Sequence, residues 1–383
     1  MHKEQVSRSG CQTNGETEGQ NIVIKLGTST LTRGKNSLNR AHMLEIVRVV
    51  AQMRQLGHRV TLVSSGAMAA GRELVASHAS LPPVLSSKQL LASVGQGRLI
   101  EVWASLFAIY DIHIGQILLT RADLENRERF LNARDTLFAL LDNGIVPVIN
   151  ENDALSTAEI KVGDNDTLAA ITSIAIEADK VILLTDQKGL FEADPRSCPD
   201  AKLIREVREI DEKIIALAGG SGTTLGTGGM STKVKAADIA TRGGVELIIA
   251  SGEDPGIMLD LIEERGDGTF FRTGDRPKEL RKVWLASTTR PSGRIIVDDG
   301  AAAALTERGS SLLPSGIKSV EGEFLRGAVI EIDNQQGKSL AKGIVRYTSN
   351  ECELIRGCKS EEIESRLGFS HGVVIHRNDM VML

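Results

Sequence analysis

Between residues 21 and 252 the chain alternates short apolar runs with longer segments of helical spacing, and this alternation limits its fold more than any other feature. "NIVIKLG" (21–27) is an apolar run ending in glycine, and "HRVTLVSSG" (58–66) is another strand-like run. Between them, "RAHMLEIVRVVAQMRQLG" (40–57) carries apolar residues at helical spacing and stops at Gly57. "SKQLLASVGQGRLIEVWASLFAIYD" (87–111) is helical, with an interruption expected at Gly95 and Gly97. "IGQILLT", "IVPVIN", "KVILLTD" and "VELIIASG" are further strands, separated by the helical "RERFLNARDTLFALLDNG" and "MSTKVKAADIATRGG". Strands that are apolar throughout are buried on both faces, and helices between them imply parallel crossovers. The expected fold class is α/β: a mainly parallel open sheet sandwiched by helices. Ligands of such sheets bind beyond the carboxyl ends of the strands. Those ends read "KLGTST", "VSSGAMAAG", "INEND" and "LTDQKGLFEADP", all rich in small hydrogen-bonding groups.

Around residue 270 the pattern changes. "RGDGTFFRTGDRPKELRKVWLAS" (265–287) is polar and reads as a linker. After it come short glycine-punctuated runs, "GRIIVDDG", "GAVIEI", "KGIVRYTS" and "HGVVIHRNDMVM", with one helix-like stretch, "AAAALTERG". This is a small, mostly-β, barrel-like module. The expected organisation is a disordered tail at 1–20, a first domain at 21–271, a linker at 272–290 and a second domain at 291–383. The first twenty residues lack the apolar stretch of a signal peptide. No window approaches the roughly 18 apolar residues of a membrane span, so a cytoplasmic location is expected.

Composition excludes some functions. Aromatic residues are 3% of the chain, too few for a base-stacking platform. A net charge of −5 gives no general attraction to phosphate backbones or anionic membranes, so any phosphate site must be local. Cys11, Cys198, Cys352 and Cys358 form no C-x-x-C pair and read as reduced thiols, without a zinc site. His371 and His376 read as surface histidines.

Three constellations carry candidate chemistry. Lys25 closes an apolar strand and is followed by Gly27, Thr28 and Ser29, a turn whose backbone N–H groups suit an anion. On its own it reads equally well as a lysine snorkelling to the sheet edge. In "GTGGMSTKVKAAD", Gly226, Gly228 and Gly229 lead into a helix whose first turn carries Ser231, Thr232 and Lys233. Lysine follows Ser-Thr here, so this is not a Walker A loop. On its own it is a glycine loop with a helix cap. "INEND" (149–153) and "GDND" (163–166) cluster carboxylates and amides, which suit an ammonium, a metal, or both. Either alone would be a solvated acidic loop. On successive strands of one sheet, the three together suit phosphoryl transfer from a nucleotide to a small cationic acceptor.

Over almost all of 21–383 the sequence resembles the glutamate 5-kinases, members of the amino acid kinase family with a C-terminal PUA domain. The resemblance rests on "KLGTS", "SSGAMAAGR", "SKQLLASVGQ", "LLTRADLENRERFLNARDT", "NGIVPVINENDA", "AEIKVGDND", "LLTDQKGLFEADPRS" and "GTGGMSTK". It implies an amino acid kinase fold, ATP and L-glutamate as substrates, and Mg²⁺ with the nucleotide. It implies that Lys25 and Lys233 contact the transferring phosphoryl group and that Asp166 orients both lysines. Ser65, Asp153 and Asn165, helped by Asn150 and Asp164, would hold glutamate. Thr185, Asp186, Lys25 and the stretch Thr227, Gly228, Gly229, Met230, Ser231, Thr232 and Lys233 would hold ATP. It further implies feedback inhibition by proline, a homo-oligomer (dimer or tetramer), and a partnership with the reductase that consumes the acyl phosphate. Other acceptors within the same fold (aspartate, acetylglutamate, carbamate, a nucleoside monophosphate) are the nearest alternatives, and the acidic cluster favours a free amine. RNA binding by the second domain is the alternative from another class. Residues 291–369 carry 10 Lys plus Arg against 12 Asp plus Glu, which argues against phosphate-driven affinity.

Overall fold

The computed structural model describes residues 19–75, 81–155, 165–195, 197–219, 229–274 and 291–383. The tail expected at 1–20 lies outside them except for Gly19 and Gln20, and so does most of the expected linker.

The first unit runs β1 (Asn21–Leu26), α1 (Thr28–Thr32), α2 (Arg40–Gln55), β2 (Arg59–Ser64), α3 (Ala67–Leu74), α4 (Leu85–Ala108), β3 (Ile114–Leu119), α5 (Arg121–Glu125), α6 (Arg127–Asp142) and β4 (Val146–Glu151). It continues through α7 (Asn165–Ala175), β5 (Lys180–Thr185), β6 (Glu206–Val207), α8 (Glu212–Leu217), α9 (Met230–Arg242), β7 (Glu246–Ser251), α10 (Ile257–Ile262) and β8 (Gly268–Phe271). The strands form one eight-stranded sheet in the order β3-β4-β2-β1-β5-β7-β8-β6. All pairs are parallel except β7 with β8. The chain builds outward from β1 on one side, through β2, β4 and β3, then on the other, through β5 and β7. That reversal makes the carboxyl ends of β1, β2 and β5 the topological switch point, where open α/β sheets bind ligands.

Period-2 geometry divides the β1 side chains between two cores. Ile22, Ile24 and Leu26 enter the core beneath α2, α3 and α4. Val23 enters the opposite core beneath α7 and α9. Lys25 alternates with Leu26 and therefore follows Val23 to the α7/α9 side.

Helix α4 is not interrupted: it runs unbroken through Gly95 and Gly97. Gly95 is there because α3 packs directly on it. A Cβ at Gly95 would fall 1.8 Å from the Ala67 carbonyl oxygen, and one at Gly71 would fall 2.0 Å from that of Leu91. The stretch read as linker from residue 265 begins with structure, since Gly268–Phe271 is the buried strand β8. Its four residues alternate too little to distinguish a two-faced strand from a loop.

The C-terminal unit is a five-stranded sheet of β9 (Arg294–Val297), β10 (Ile317–Glu321), β11 (Val329–Asp333), β12 (Ser339–Ile344) and β13 (Met380–Met382), in the order β10-β9-β11-β12-β13. It has its own core. Besides the expected helix (Asp299–Arg308), two more occur at Ser349–Ile355 and Ile363–Leu367. Cys352 and Cys358 are buried in this core, and burial pushes the Cys352 thiol up to about 12. His371, read as a surface histidine, is half-buried: its ring lies 5.3 Å from Tyr347 and 5.2 Å from Phe369, and burial lowers its pKa.

The two units meet along α6. Arg134 donates two hydrogen bonds to Asp379, at 2.6 and 2.8 Å, and these side chains are 4% and 2% exposed. Arg326 pairs with Asp135 at 2.7 Å, while Arg346 lies 3.6 Å from Asp379 and 4.0 Å from Asp135. Leu131 packs on Ile344 and Val381 beside them. Arg134→Ala leaves the Asp379 carboxylate buried without its two-pronged partner. Breaking a buried pair this way costs about 3–5 kcal/mol. The expected result is a clear fall in the thermal unfolding temperature, with Arg134→Met combined with Asp379→Leu regaining most of it. An unchanged melting curve for Arg134→Ala would show that α6 and the C-terminal unit do not meet in solution.

Candidate active site

At the carboxyl end of the sheet one carboxylate holds two ammonium groups. Asp166 Oδ1 lies 2.5 Å from Lys25 Nζ, and Asp166 Oδ2 lies 3.2 Å from Lys233 Nζ. All three are buried, at 6% exposure for Lys25, 0% for Asp166 and 4% for Lys233. Lys25 is therefore no snorkelling lysine; its head turns inward to Asp166. The Thr232 hydroxyl reaches both Asp166 Oδ2 (3.2 Å) and the Gly229 carbonyl (2.8 Å).

Local structure explains the meeting. Asp166 stands in the first turn of α7, where unpaired N–H groups and the helix dipole favour a carboxylate. Lys233 stands in the first turn of α9, where the same dipole disfavours a cation. Asp166 offsets that cost, because α7 and α9 lie side by side. Lys25 arrives from β1 on the same face.

A second group of residues lies at the ends of β2 and β4. Asn165 Nδ2 donates to Ser65 Oγ (2.7 Å) and to Asn150 Oδ1 (2.9 Å). Asn150 Nδ2 donates to Gln96 Oε1 (2.8 Å). Trp103 Nε1 donates to Ser64 Oγ at 2.9 Å, which steadies the end of β2. Next to these groups is a cavity of about 340 Å³, lined by Gln96, Gln116, Glu151, Asn152 and Asp153 among others. Its volume falls in the range of small-molecule sites. Asn165 and Asp166 are consecutive, so the amide group and the lysine pair share one helix turn.

Of the residues singled out in the sequence, Lys25, Asp166, Lys233 and Thr232 come together, and so do Ser65, Asn150 and Asn165. Asp153 stands in the cavity wall. Thr185 and Asp186 stand at the end of β5, where the Thr185 hydroxyl donates to Asp186 at 2.9 Å. Gly229 caps α9, and Met230 and Ser231 begin it. Asp164, Thr227 and Gly228 lie outside the described residues. Sequence reasoning missed Gln96, while Glu151 lies within the acidic and amide cluster 149–153 that the sequence singles out. Gln96 is a lone glutamine between Gly95 and Gly97 and carries no chemical signal in the sequence.

Residues 20–251 match the amino acid kinase family and residues 293–367 match the PUA domain. A glutamate 5-kinase of Erwinia tasmaniensis is 57% identical over 367 residues, covering 96% of this chain and 100% of that protein. One from Escherichia coli O1:K1 is 57% identical over 366 residues, covering 95% of this chain and 99% of that protein. Among solved structures, a carbamate kinase from Giardia lamblia bound to AMP-PNP aligns at 16% identity and a TM-score of 0.49, over 67% of this chain and 99% of that one.

Replacing either lysine by an unbranched apolar side chain isolates its charge. Lys25→Met or Lys233→Met is expected to reduce turnover by about 10²-fold or more, the scale of losing a cation at a developing charge. Both variants should also melt earlier, because Asp166 loses a counter-charge. Folded variants with near-normal turnover would exclude the lysines from the chemistry.

Proposed function

The chain belongs to the amino acid kinase family, within its glutamate 5-kinase branch, and we propose that it transfers the terminal phosphoryl group of ATP to the side-chain carboxylate of L-glutamate. The observation that carries this reading is the buried Lys25–Asp166–Lys233 cluster beside a hydrogen-bonded amide group and a small cavity.

The reaction brings two anions together. A γ-carboxylate oxygen of glutamate attacks the γ-phosphorus of ATP; the new C–O–P link forms as the bond to the β-phosphate oxygen breaks, and ADP leaves with that electron pair. The carboxylate is ionised at neutral pH and needs no general base. Positioning and charge neutralisation therefore supply the catalysis. Lys25 and Lys233 screen the repulsion between the anions and stabilise the charge on the transferring oxygens. Asp166 holds both ammonium groups in place. Ser65, Asn150, Asp153, Asn165 and Asp164 hold glutamate. Thr185, Asp186 and the stretch from Thr227 to Lys233 hold the nucleotide. Mg²⁺ accompanying ATP would add positive charge to the phosphates, and the Asp186 carboxylate at the end of β5 is an oxygen donor suited to it.

The product would feed proline synthesis, and we extend the reading to feedback inhibition by proline, a homo-oligomer, a reductase that takes the acyl phosphate, and a cytoplasmic setting. No helix among the described residues is long and apolar enough to cross a membrane. RNA binding by the C-terminal unit is not favoured: Arg326 and Arg346 face Asp135 and Asp379 instead of an open surface.

The test is ADP release with glutamate, aspartate, acetylglutamate and carbamate, with hydroxylamine present to trap an acyl phosphate. Glutamate should be the preferred acceptor and should yield a hydroxamate; a preference for any other acceptor would overturn the assignment. Within the site, Asp153→Ala or Asn165→Ala should raise the KM for glutamate by tenfold or more while changing that for ATP by less than about threefold. The reverse pattern would move the acceptor to other loops.

A further inference from the structure

The amide group at the ends of β2 and β4 has only one self-consistent polarity. Amide oxygen and nitrogen are assigned from their surroundings, and here one donor settles the whole chain. The Glu151 backbone N–H can only donate, and it lies 2.9 Å from Asn150 Oδ1. The facing atom must therefore be the Asn150 oxygen. Asn150 then turns its NH₂ toward Gln96, which must present its own oxygen at 2.8 Å. The Asn165 atom 2.9 Å from Asn150 Oδ1 must likewise be nitrogen. The same nitrogen lies 2.7 Å from Ser65 Oγ, so the serine oxygen accepts there.

This arrangement is kept at a cost. Asn165 Oδ1 is buried with no partner among the described residues. Turning the Asn165 amide over would pair that oxygen elsewhere but set it against Asn150 Oδ1, oxygen on oxygen. The chain ends at the Ser65 hydroxyl. One lone pair is occupied by Asn165, so its proton is the group that remains to be given, and it suits a carboxylate oxygen.

We propose that Gln96 is a positioning residue: the Glu151 N–H sets the polarity of the amide chain, and the Gln96 oxygen holds the Asn150 amide in place, so that through Asn150 and Asn165 the Ser65 hydroxyl is kept aimed as a donor to a carboxylate of the acceptor. Gln96 acts at three hydrogen bonds' remove from that hydroxyl, along Asn150 and Asn165. This inference rests on the assignment of glutamate as acceptor. It adds a determinant of acceptor affinity on α4, outside the strand-end loops that hold the other groups.

The test is a double-mutant cycle read through the KM for glutamate. Gln96→Met keeps the length of the side chain and removes the oxygen. It is expected to raise the KM for glutamate about tenfold, the loss of roughly one neutral hydrogen bond, with the KM for ATP and kcat within about threefold of wild type. Ser65→Ala should also raise the KM for glutamate about tenfold. The double variant should resemble Ser65→Ala alone, within about threefold, because Gln96 acts through Ser65. Gln96→Glu, which retains an oxygen facing Asn150, should lie nearer to wild type than Gln96→Met. Thermal unfolding shows that each variant is folded, and Gln96→Ala takes the place of Gln96→Met in the cycle if that one is not. A Gln96→Met enzyme with wild-type KM, or effects that multiply to about a hundredfold in the double variant, would overturn the proposal. Failure of the wild-type protein to phosphorylate glutamate would instead reject the acceptor assignment, and the two failures are separately visible.

Discussion

Asp166 carries two buried ammonium groups, and the architecture around the site can be read as the means of bringing these three charges together. Burying an ion takes free energy that only close, well-directed partners return. Here the partners come from three separate elements: β1, the start of α7 and the start of α9. Lys25 reaches Asp166 because strand alternation sends it to the face of the sheet that α7 and α9 cover. Asp166 sits where a helix dipole welcomes it, and Lys233 sits where the dipole alone would not. In the proposed reaction the same cluster meets the phosphoryl group, so the interaction that organises this end of the sheet is also the one that lowers the barrier.

The surrounding elements serve this geometry at a distance. The reversal of strand order on either side of β1 places the cluster at the switch point of the sheet. Gly71 and Gly95 let α3 and α4 touch backbone to backbone, and α4 thereby brings Gln96 to the end of β4. Helix α6 lies between β3 and β4, and its outer side carries the Arg134–Asp379 pair that joins the C-terminal unit. The acceptor-side residues at the end of β4 and the docking surface on α6 are thus neighbours in the chain, although they occupy different sides of the sheet layer.

Much of this was legible in the sequence because it is written in short-range patterns. Continuous apolar runs gave the buried parallel strands, and the small polar groups after them gave the binding end of the sheet. Lys25 stands out because it closes an apolar strand, and Lys233 because it adds a positive charge to a glycine-led helix N-terminus suited to phosphate. What was not legible depends on contacts between distant segments. Gly95 looks like a helix break until α3 is seen lying on it. Gly268–Phe271 is too short to declare itself a strand without β7 beside it. Arg134 and Asp379 are 245 residues apart, and nothing near either one marks it as buried. Gln96 is an ordinary helical glutamine until the direction of the Glu151 N–H is known.

The central claim is that the Asp166 carboxylate fixes two lysines for phosphoryl transfer. Its most direct test is the turnover of Asp166→Asn at saturating ATP and glutamate, followed by hydroxamate formation on protein shown to be folded. The substitution keeps the size of the side chain and removes its charge, so the lysines are left sharing a neutral amide. Turnover is predicted to fall by about 10²-fold or more, with the KM for glutamate changed only a few-fold. A folded Asp166→Asn protein whose turnover stays within a few-fold of wild type would contradict it.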